Sequence, residues 1–282
     1  MDERTIVSVA WLRERLHDPK LVILDSRFSL DDEQWGERTY LEGHIPGALY
    51  ANTATHLSGE IIRGVTGRRP FPEPDVFAAQ LGAWGIDSST QVVVYDADGG
   101  RMSAARVWLM LRWMGHDRVA VLDGGWQAWL AAGGDVSAEV PQPAQADFAM
   151  SLRPELLANV HEVDEHRQRA KTCVFDSRGA EGYHGGGVYH DPVRGHIAGA
   201  GLADRANTTN ADLTFRSPDE LRAYYVDLLD GVEPSEVIYY CGSGITAAQN
   251  VLGMAIAGLE GSRMYVGSWS EWITDPSRPV EL

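Results

Sequence analysis

The feature that most constrains this chain is that it repeats itself. "LVILDSR" at 21–27 returns as "TCVFDSR" at 172–178, and "GHIPGA" at 43–48 returns as "GHIAGA" at 195–200. "VVVYDADGG" at 92–100 lines up with "VIYYCGSGI" at 237–245, and "VLDGGWQAW" at 121–129 with "MYVGSWSEW" at 264–272. Four markers in one order, with slowly drifting spacing, mean a duplicated unit; fixed-period self-similarity is the signature of repeated architecture. The expected organisation is a first domain over 1–135, a linker over 136–150 and a second domain over 151–282. The stretch "AAGGDVSAEVPQPAQADFAM" (131–150) is rich in Ala, Pro, Gln and Gly and has neither helical nor strand periodicity. At 282 residues the length agrees with two domains, each able to bury its own core.

Within each copy, short apolar runs alternate with longer helical patterns. "LVILD", "VVVYD", "VAVLDGG", "CVFD", "VIYYC" and "RMYVG" are apolar without alternation, as strands buried on both faces are. "AARVWLMLRWMG" (104–115) and "TAAQNVLGMAIAGL" (246–259) carry a helical stripe. The fold class is therefore α/β: two similar domains, each a mostly parallel sheet flanked by helices.

Charge and cysteine content exclude several functions. A net charge of −16 argues against a broad nucleic-acid surface, which needs clustered Lys and Arg. No run of apolar residues reaches membrane-spanning length and "MDERTIVSVA" has no secretory pattern, so a cytoplasmic protein with reduced thiols is expected. Two cysteines make no disulfide framework.

One of those cysteines is oddly placed. In "EVIYYCGSGITA" (236–247), Cys241 sits where a strand ends and a helix begins. In parallel sheets ligands bind beyond the carboxyl ends of strands. The N–H groups of such a turn have no intrahelical acceptor and favour an anion. Gly242 and Gly244 allow a tight wrap with positive φ, and Ser243 and Thr246 add hydroxyls. A thiol in this cradle is expected to ionise, which makes Cys241 a nucleophile candidate. Domain 1 has Asp96 at the matching position, so the fold itself does not require a thiol there. Cys173, inside "TCVFD", reads as a packed small hydrophobe. A phosphatase loop needs an arginine where Ala247 stands, and a thioredoxin pair needs a second cysteine where Gly244 stands. A Walker loop needs a lysine that is absent, and the nine histidines are scattered rather than clustered for zinc.

"CGSGITA", together with "GHIPGA", "LDGGWQAW" and "GSWSEW", resembles the tandem-domain rhodanese family over nearly the whole chain. The loop is similar to that of its 3-mercaptopyruvate sulfurtransferase branch, Cys-Gly-Ser-Gly-Val-Thr-Ala, rather than to the Cys-Arg-Lys-Gly-Val-Thr of the thiosulfate-preferring branch. The resemblance implies a ping-pong cycle through a Cys241 persulfide. The loop Gly242, Ser243, Gly244, Ile245 and Thr246 would stabilise it. Its implied partners are a small anionic sulfur donor (3-mercaptopyruvate or thiosulfate) and a thiophilic acceptor such as cyanide, a thiol or a thioredoxin-like protein. It implies no metal or organic cofactor, no nucleic acid and no membrane.

The chain departs from the family where the donor is held. The usual arginines align with Gly182 and His184, a further one falls near Tyr189, and an acidic relay position is Ala54. Candidate replacements are Arg68 and Arg69 in "GVTGRRPFPEP" (64–74), and His184 or His190 when protonated. Arg178 reads as structural because Arg27 repeats it, and His196 as a structural histidine. The tryptophans of 126–129 and 269–272 read as packing. The alternative is a rhodanese-fold binding or regulatory module with little or no turnover.

Overall fold

The computed structural model describes residues 3–187 and 190–282. The expectation placed on Tyr189 lies outside the described residues. By contacts the chain divides into two units. Unit 1 comprises 1–59, 71–153 and 210–215, and unit 2 comprises 60–70, 154–209 and 216–282.

Unit 1 contains strands β1 (Ile6–Val7), β2 (Leu21–Asp25), β3 (Leu49–Tyr50), β4 (Gln91–Tyr95) and β5 (Val119–Leu122). They form one parallel sheet in the order β1-β5-β4-β2-β3. The central strand β4 is apolar after Gln91 because both faces are covered; Val92, Val93, Val94 and Tyr95 are fully buried. The crossover after β4 is the helix Ser103–Trp113, nearly all of whose residues are buried. A cluster of Leu12, Ile23, Ile45, Val93, Tyr95, Leu122 and Trp129 fills one face of the sheet. The 136–150 stretch contains no helix, and its one bridge is Ser137 to His44. It is held along unit 1 by that bridge and by the Ala146 N–H, which donates to the Gly82 carbonyl at 2.9 Å.

Unit 2 has the same design. Strands β6 (Leu157–Ala158), β7 (Val174–Asp176), β9 (Gly201–Leu202), β10 (Ile238–Tyr240) and β11 (Arg263–Tyr265) form a parallel sheet, with β8 (His196–Ile197) and β12 (Val280–Glu281) as a separate antiparallel pair. The sheet order, β6-β11-β10-β7-β9, matches unit 1 strand for strand. Its central strand β10 is again fully buried and is followed, after the loop 241–247, by the helix Ala248–Ile256. Trp269, Trp272, Tyr240 and Tyr265 sit in its core, as the packing reading of the second tryptophan pair expects.

Buried polar contacts are duplicated as well. In unit 1, Tyr95 donates its hydroxyl to Asp25 (2.7 Å) and accepts the Ile45 N–H (3.1 Å). In unit 2, the Tyr240 hydroxyl accepts the Ile197 N–H at 3.0 Å. Tyr40 stacks on His44 at 4.0 Å, and Tyr183 on His196 at 3.7 Å. Between those two rings unit 1 has only 41–43, whereas unit 2 has the extension 184–195. Among the described residues no helix is long and apolar enough to cross a membrane.

Candidate active site

Cys241 lies at the carboxyl end of β10, 1% exposed. The chain turns there because Gly244 takes a left-handed φ of 79°. Gly242 does not share that conformation, contrary to the expectation for both glycines; a Cβ on it would meet nothing nearer than Arg68 Nη2 at 3.8 Å. The turn brings donors onto the sulfur. The Gly244 N–H donates to Sγ at 3.2 Å, and the Ser268 hydroxyl lies 3.8 Å from it. Burial pushes the Cys241 thiol up; the Thr246 hydroxyl, the N–H groups of Ala247 and Ser243 and the Ser268 hydroxyl more than offset it. The net result is a thiol held below its ordinary value, with the charged form favoured by hydrogen bonding. Ser243 contributes its N–H; among the described residues its hydroxyl makes no hydrogen bond. Ile245 is 1% exposed and closes the loop against the interior.

Ser268 was not singled out from the sequence. Its hydroxyl accepts the Cys241 N–H at 3.1 Å and donates to the Tyr265 carbonyl at 2.9 Å. Its φ is +53°, a conformation that a residue with a Cβ adopts at a cost. The matching residue in unit 1 is Gly125, at φ +56°. The signal was present in the repeat: "DGGW" in one copy, "GSW" in the other. Backbone pairing fixes this serine over the cysteine, since Trp269 N–H donates to Cys241 O and Ser270 N–H to Gly242 O, both at 2.9 Å.

Arginines surround the thiol. The 60–70 segment belongs to unit 2, and the Arg68 N–H donates to Ser270 Oγ at 3.0 Å. Gly67 allows this approach, because a Cβ there would sit 2.3 Å from the Gly267 carbonyl. Burial lowers the Arg68 guanidinium below the usual arginine value; the charge of Cys241 opposes this, and the charges of Arg69 and Arg178 add to it. Arg68 pairs with Asp191, in the extension that unit 1 lacks. Arg178 donates Nε to both carboxylate oxygens of Asp176, and Nη2 to Asp176 and to the Gly195 carbonyl at 2.7 Å. Burial works against its charge, but Asp176 raises it above the usual value. Arg178 is thus anchored as a structural residue is, while its charge also reaches the sulfur. The charges of Arg68 and Arg178 both act on Cys241, in a chain of net charge −16.

The histidine candidates are placed differently. His184 ends the short helix Ala180–Tyr183, exposed, its ring edge-on to Tyr183 at 4.9 Å. His190 is exposed beside Asp191. Among the described residues neither hydrogen-bonds or pairs with the Cys241 loop. His196 is buried against Tyr183 and bonds its carbonyl at 3.0 Å. Ala54 lies in unit 1, in a turn closed by Asn52. Cys173 is buried, its Sγ donating to the Lys171 carbonyl at 3.2 Å. Among the described residues no group of three or more His, Cys, Asp or Glu is arranged to hold a metal.

A buried thiol at a strand end, cradled by hydrogen-bond donors and under the charge of nearby arginines, defines a class: an enzyme-like site for sulfur or anion chemistry. Comparison with known proteins narrows it. The rhodanese-like domain model matches residues 8–132 and 159–275. The chain belongs to the rhodanese family. It is 40% identical over 281 residues to the "Probable 3-mercaptopyruvate sulfurtransferase" of Pseudomonas aeruginosa, covering 99% of both chains. It is 34% identical over 280 residues to the thiosulfate sulfurtransferase of Cricetulus griseus, covering 95% of this chain and 92% of that one. Among solved structures it is similar to SseA from Escherichia coli, a 3-mercaptopyruvate sulfotransferase of rhodanese fold, with 29% identity and a TM-score of 0.80 over 94% of this chain and 99% of that one. The chain is a homologue of rhodanese-family sulfurtransferases.

Proposed function

We propose that the protein moves a sulfur atom from 3-mercaptopyruvate to a thiophilic acceptor through a persulfide on Cys241, with thiosulfate as the competing donor. The observation that carries this reading is the thiol lowered below its ordinary value at the end of β10 by four donors that outweigh its burial. The "Gly-Ser-Gly" sequence and the relative from Pseudomonas aeruginosa support 3-mercaptopyruvate as the donor.

The Cys241 thiolate attacks the donor sulfur, the bond from that sulfur to C3 breaks, and its electron pair stays on carbon as an enolate. The proton from the donor thiol ends on C3, so pyruvate leaves and Cys241 carries a persulfide anion. The loop N–H groups and the hydroxyls of Thr246 and Ser268 hold the negative charge throughout. A thiol acceptor then takes the outer sulfur as its own persulfide, or cyanide takes it as thiocyanate, and the Cys241 thiolate returns. Arg68 binds the donor carboxylate by exchanging Asp191 for it, and Arg69 and Arg178 reinforce the field.

Steady-state assays with cyanide as acceptor and each donor in turn test this. The expected outcome is faster turnover with 3-mercaptopyruvate than with thiosulfate, and a loss of at least ~1,000-fold in Cys241→Ser. Undiminished activity in that variant would remove the nucleophile from the account. The Arg68–Asp191 pair favours one other reading, a module that binds anions without turnover. Absence of turnover in the wild type with either donor, alongside measurable donor binding, would point there.

A further inference from the structure

The duplicated half carries a pocket of its own. Beside the carboxyl ends of β2 and β4, unit 1 has a cavity of about 360 Å³ lined by Arg27, Trp35, Thr39, Glu42, Trp126 and Gln127, among others. That volume lies in the range that holds small organic ligands. Its lining includes counterparts of residues around the site in unit 2: Arg27 matches Arg178, Trp126 matches Trp269, and Ala97 follows Asp96, the match of Cys241. Unit 1 lacks the 184–195 extension, and residues 42 and 43 line the cavity at the matching place.

Arg27 gives this cavity its chemistry. Its side chain is 4% exposed. Nε donates to both Asp25 oxygens (3.1 and 2.9 Å), and Nη2 to Asp25, to Gly43 O at 2.6 Å and to Thr39 O at 3.2 Å. Nη1 donates to none of the described residues, yet it is not sealed from the cavity that its side chain lines. The guanidinium lies over the Trp126 ring at 4.6 Å. A buried cation with one edge unmatched and open to the cavity is a directed donor. The neighbouring anion cradle is not open to a ligand, because the Asp96 carboxylate already accepts its N–H groups.

We propose that this cavity is a binding site for a small monocarboxylate with a flat apolar group. The carboxylate would take Nη1 of Arg27, as guanidinium edges favour planar oxyanions. The apolar group would lie against Trp35 and Trp126. Glu42, exposed at the rim, works against ligands of higher negative charge, phosphates among them. With a carboxylate in place of the thiol, unit 1 has no nucleophile at this point, so the ligand binds without reacting. The proposal does not depend on the sulfur-transfer reading of unit 2.

The test uses the full chain, with benzoate as probe and benzamide as its uncharged counterpart. The indole N–H signals of Trp35 and Trp126 are assigned by Trp35→Phe and Trp126→Phe, then followed by NMR during titration. Benzoate is expected to shift both signals saturably, benzamide to leave them in place, and inorganic phosphate to compete poorly. Arg27→Lys should weaken benzoate about tenfold or more. Because that variant touches a buried pair, Glu42→Gln provides the second reading: removal of the exposed carboxylate should tighten benzoate about two- to fivefold. Failure of benzoate to shift these two indoles, equal shifts with benzamide, or no response to Glu42→Gln overturns the proposal.

Discussion

The same loop occurs twice in this protein, and the two copies do opposite things with a negative charge. After β4, Asp96 accepts N–H groups from Asp98, Gly100, Met102 and Ala104 at 2.8 to 3.1 Å. After β10, Cys241 sits in the matching cradle with the Gly244 N–H at 3.2 Å from its sulfur. Burial raises the Asp96 carboxyl above its ordinary value despite those bonds, whereas the donors around Cys241 win over burial and lower the thiol. In unit 1 the acceptor is a carboxyl group of the chain itself and holds the loop together. In unit 2 the position is occupied by a thiol, the group that the proposed function has take on and give up a sulfur atom. Both copies of the loop aim N–H groups at the side chain that ends the strand, and on the proposed function that one side chain separates a brace from a reaction centre.

The partner residue differs in the same sense. A Cβ on Gly125 would meet the Asp96 carbonyl at 2.6 Å, so unit 1 accepts only glycine there. Unit 2 puts Ser268 in that left-handed position and gains a hydroxyl over the cysteine. A strained backbone is kept where the side chain serves the sulfur.

Changes that separate brace from reaction centre should differ in kind as well as size. After loss of the nucleophile itself, Arg68→Ala has the largest expected effect: kcat/KM for the anionic donor falls by roughly 10- to 100-fold, mostly through KM, as a charge-assisted contact is lost. A purely structural arginine would instead lower the fraction of folded enzyme and leave KM alone. Next comes Ser268→Ala, with activity at neutral pH down roughly tenfold. Because this hydroxyl favours the thiolate, its removal raises the thiol's pKa, so the acid limb of the pH–rate profile should move to higher pH. An unshifted profile would mean that Ser268 only packs.

Asp96→Asn tests the other loop. It leaves buried N–H donors facing an amide nitrogen and should cost roughly 1–3 kcal/mol of stability in denaturant titration. Turnover per folded molecule should be unchanged; a drop in kcat would erase the division of labour between the loops. The smallest effect is expected from Asp191→Asn, which frees Arg68 from its carboxylate and should lower the donor KM about two- to fivefold. A raised KM would make Asp191 a positioning residue for the arginine rather than a competitor of the donor.

Much of this was legible before any coordinates. The repeat identified two α/β units because buried strands such as "VVVYD" and "VIYYC" carry no alternation, and the lone cysteine on a Gly-rich strand end marked the site. What escaped was set by tertiary contact. Ser268 and Cys241 are 27 positions apart, and only the contact of its hydroxyl with the cysteine shows why this left-handed position is not glycine. Arg68 and Asp191 are separated by 123 positions, so no local pattern joins them. The positive φ expected of both loop glycines belongs to Gly244 alone, because one left-handed residue suffices to turn the chain. Trp129 is fully buried and Trp126 packs against the same core, as the packing reading expects, but Trp126 also lines a cavity, which the sequence pattern did not reveal.

The central claim, that Cys241 and not the fold at large carries the sulfur, is tested most directly by intact-protein and peptide mass spectrometry after exposure to 3-mercaptopyruvate without acceptor. The account predicts a gain of one sulfur atom on the peptide containing Cys241, its removal by cyanide, and no gain in Cys241→Ser. Sulfur found on Cys173, or gained equally by the Cys241→Ser protein, would contradict it.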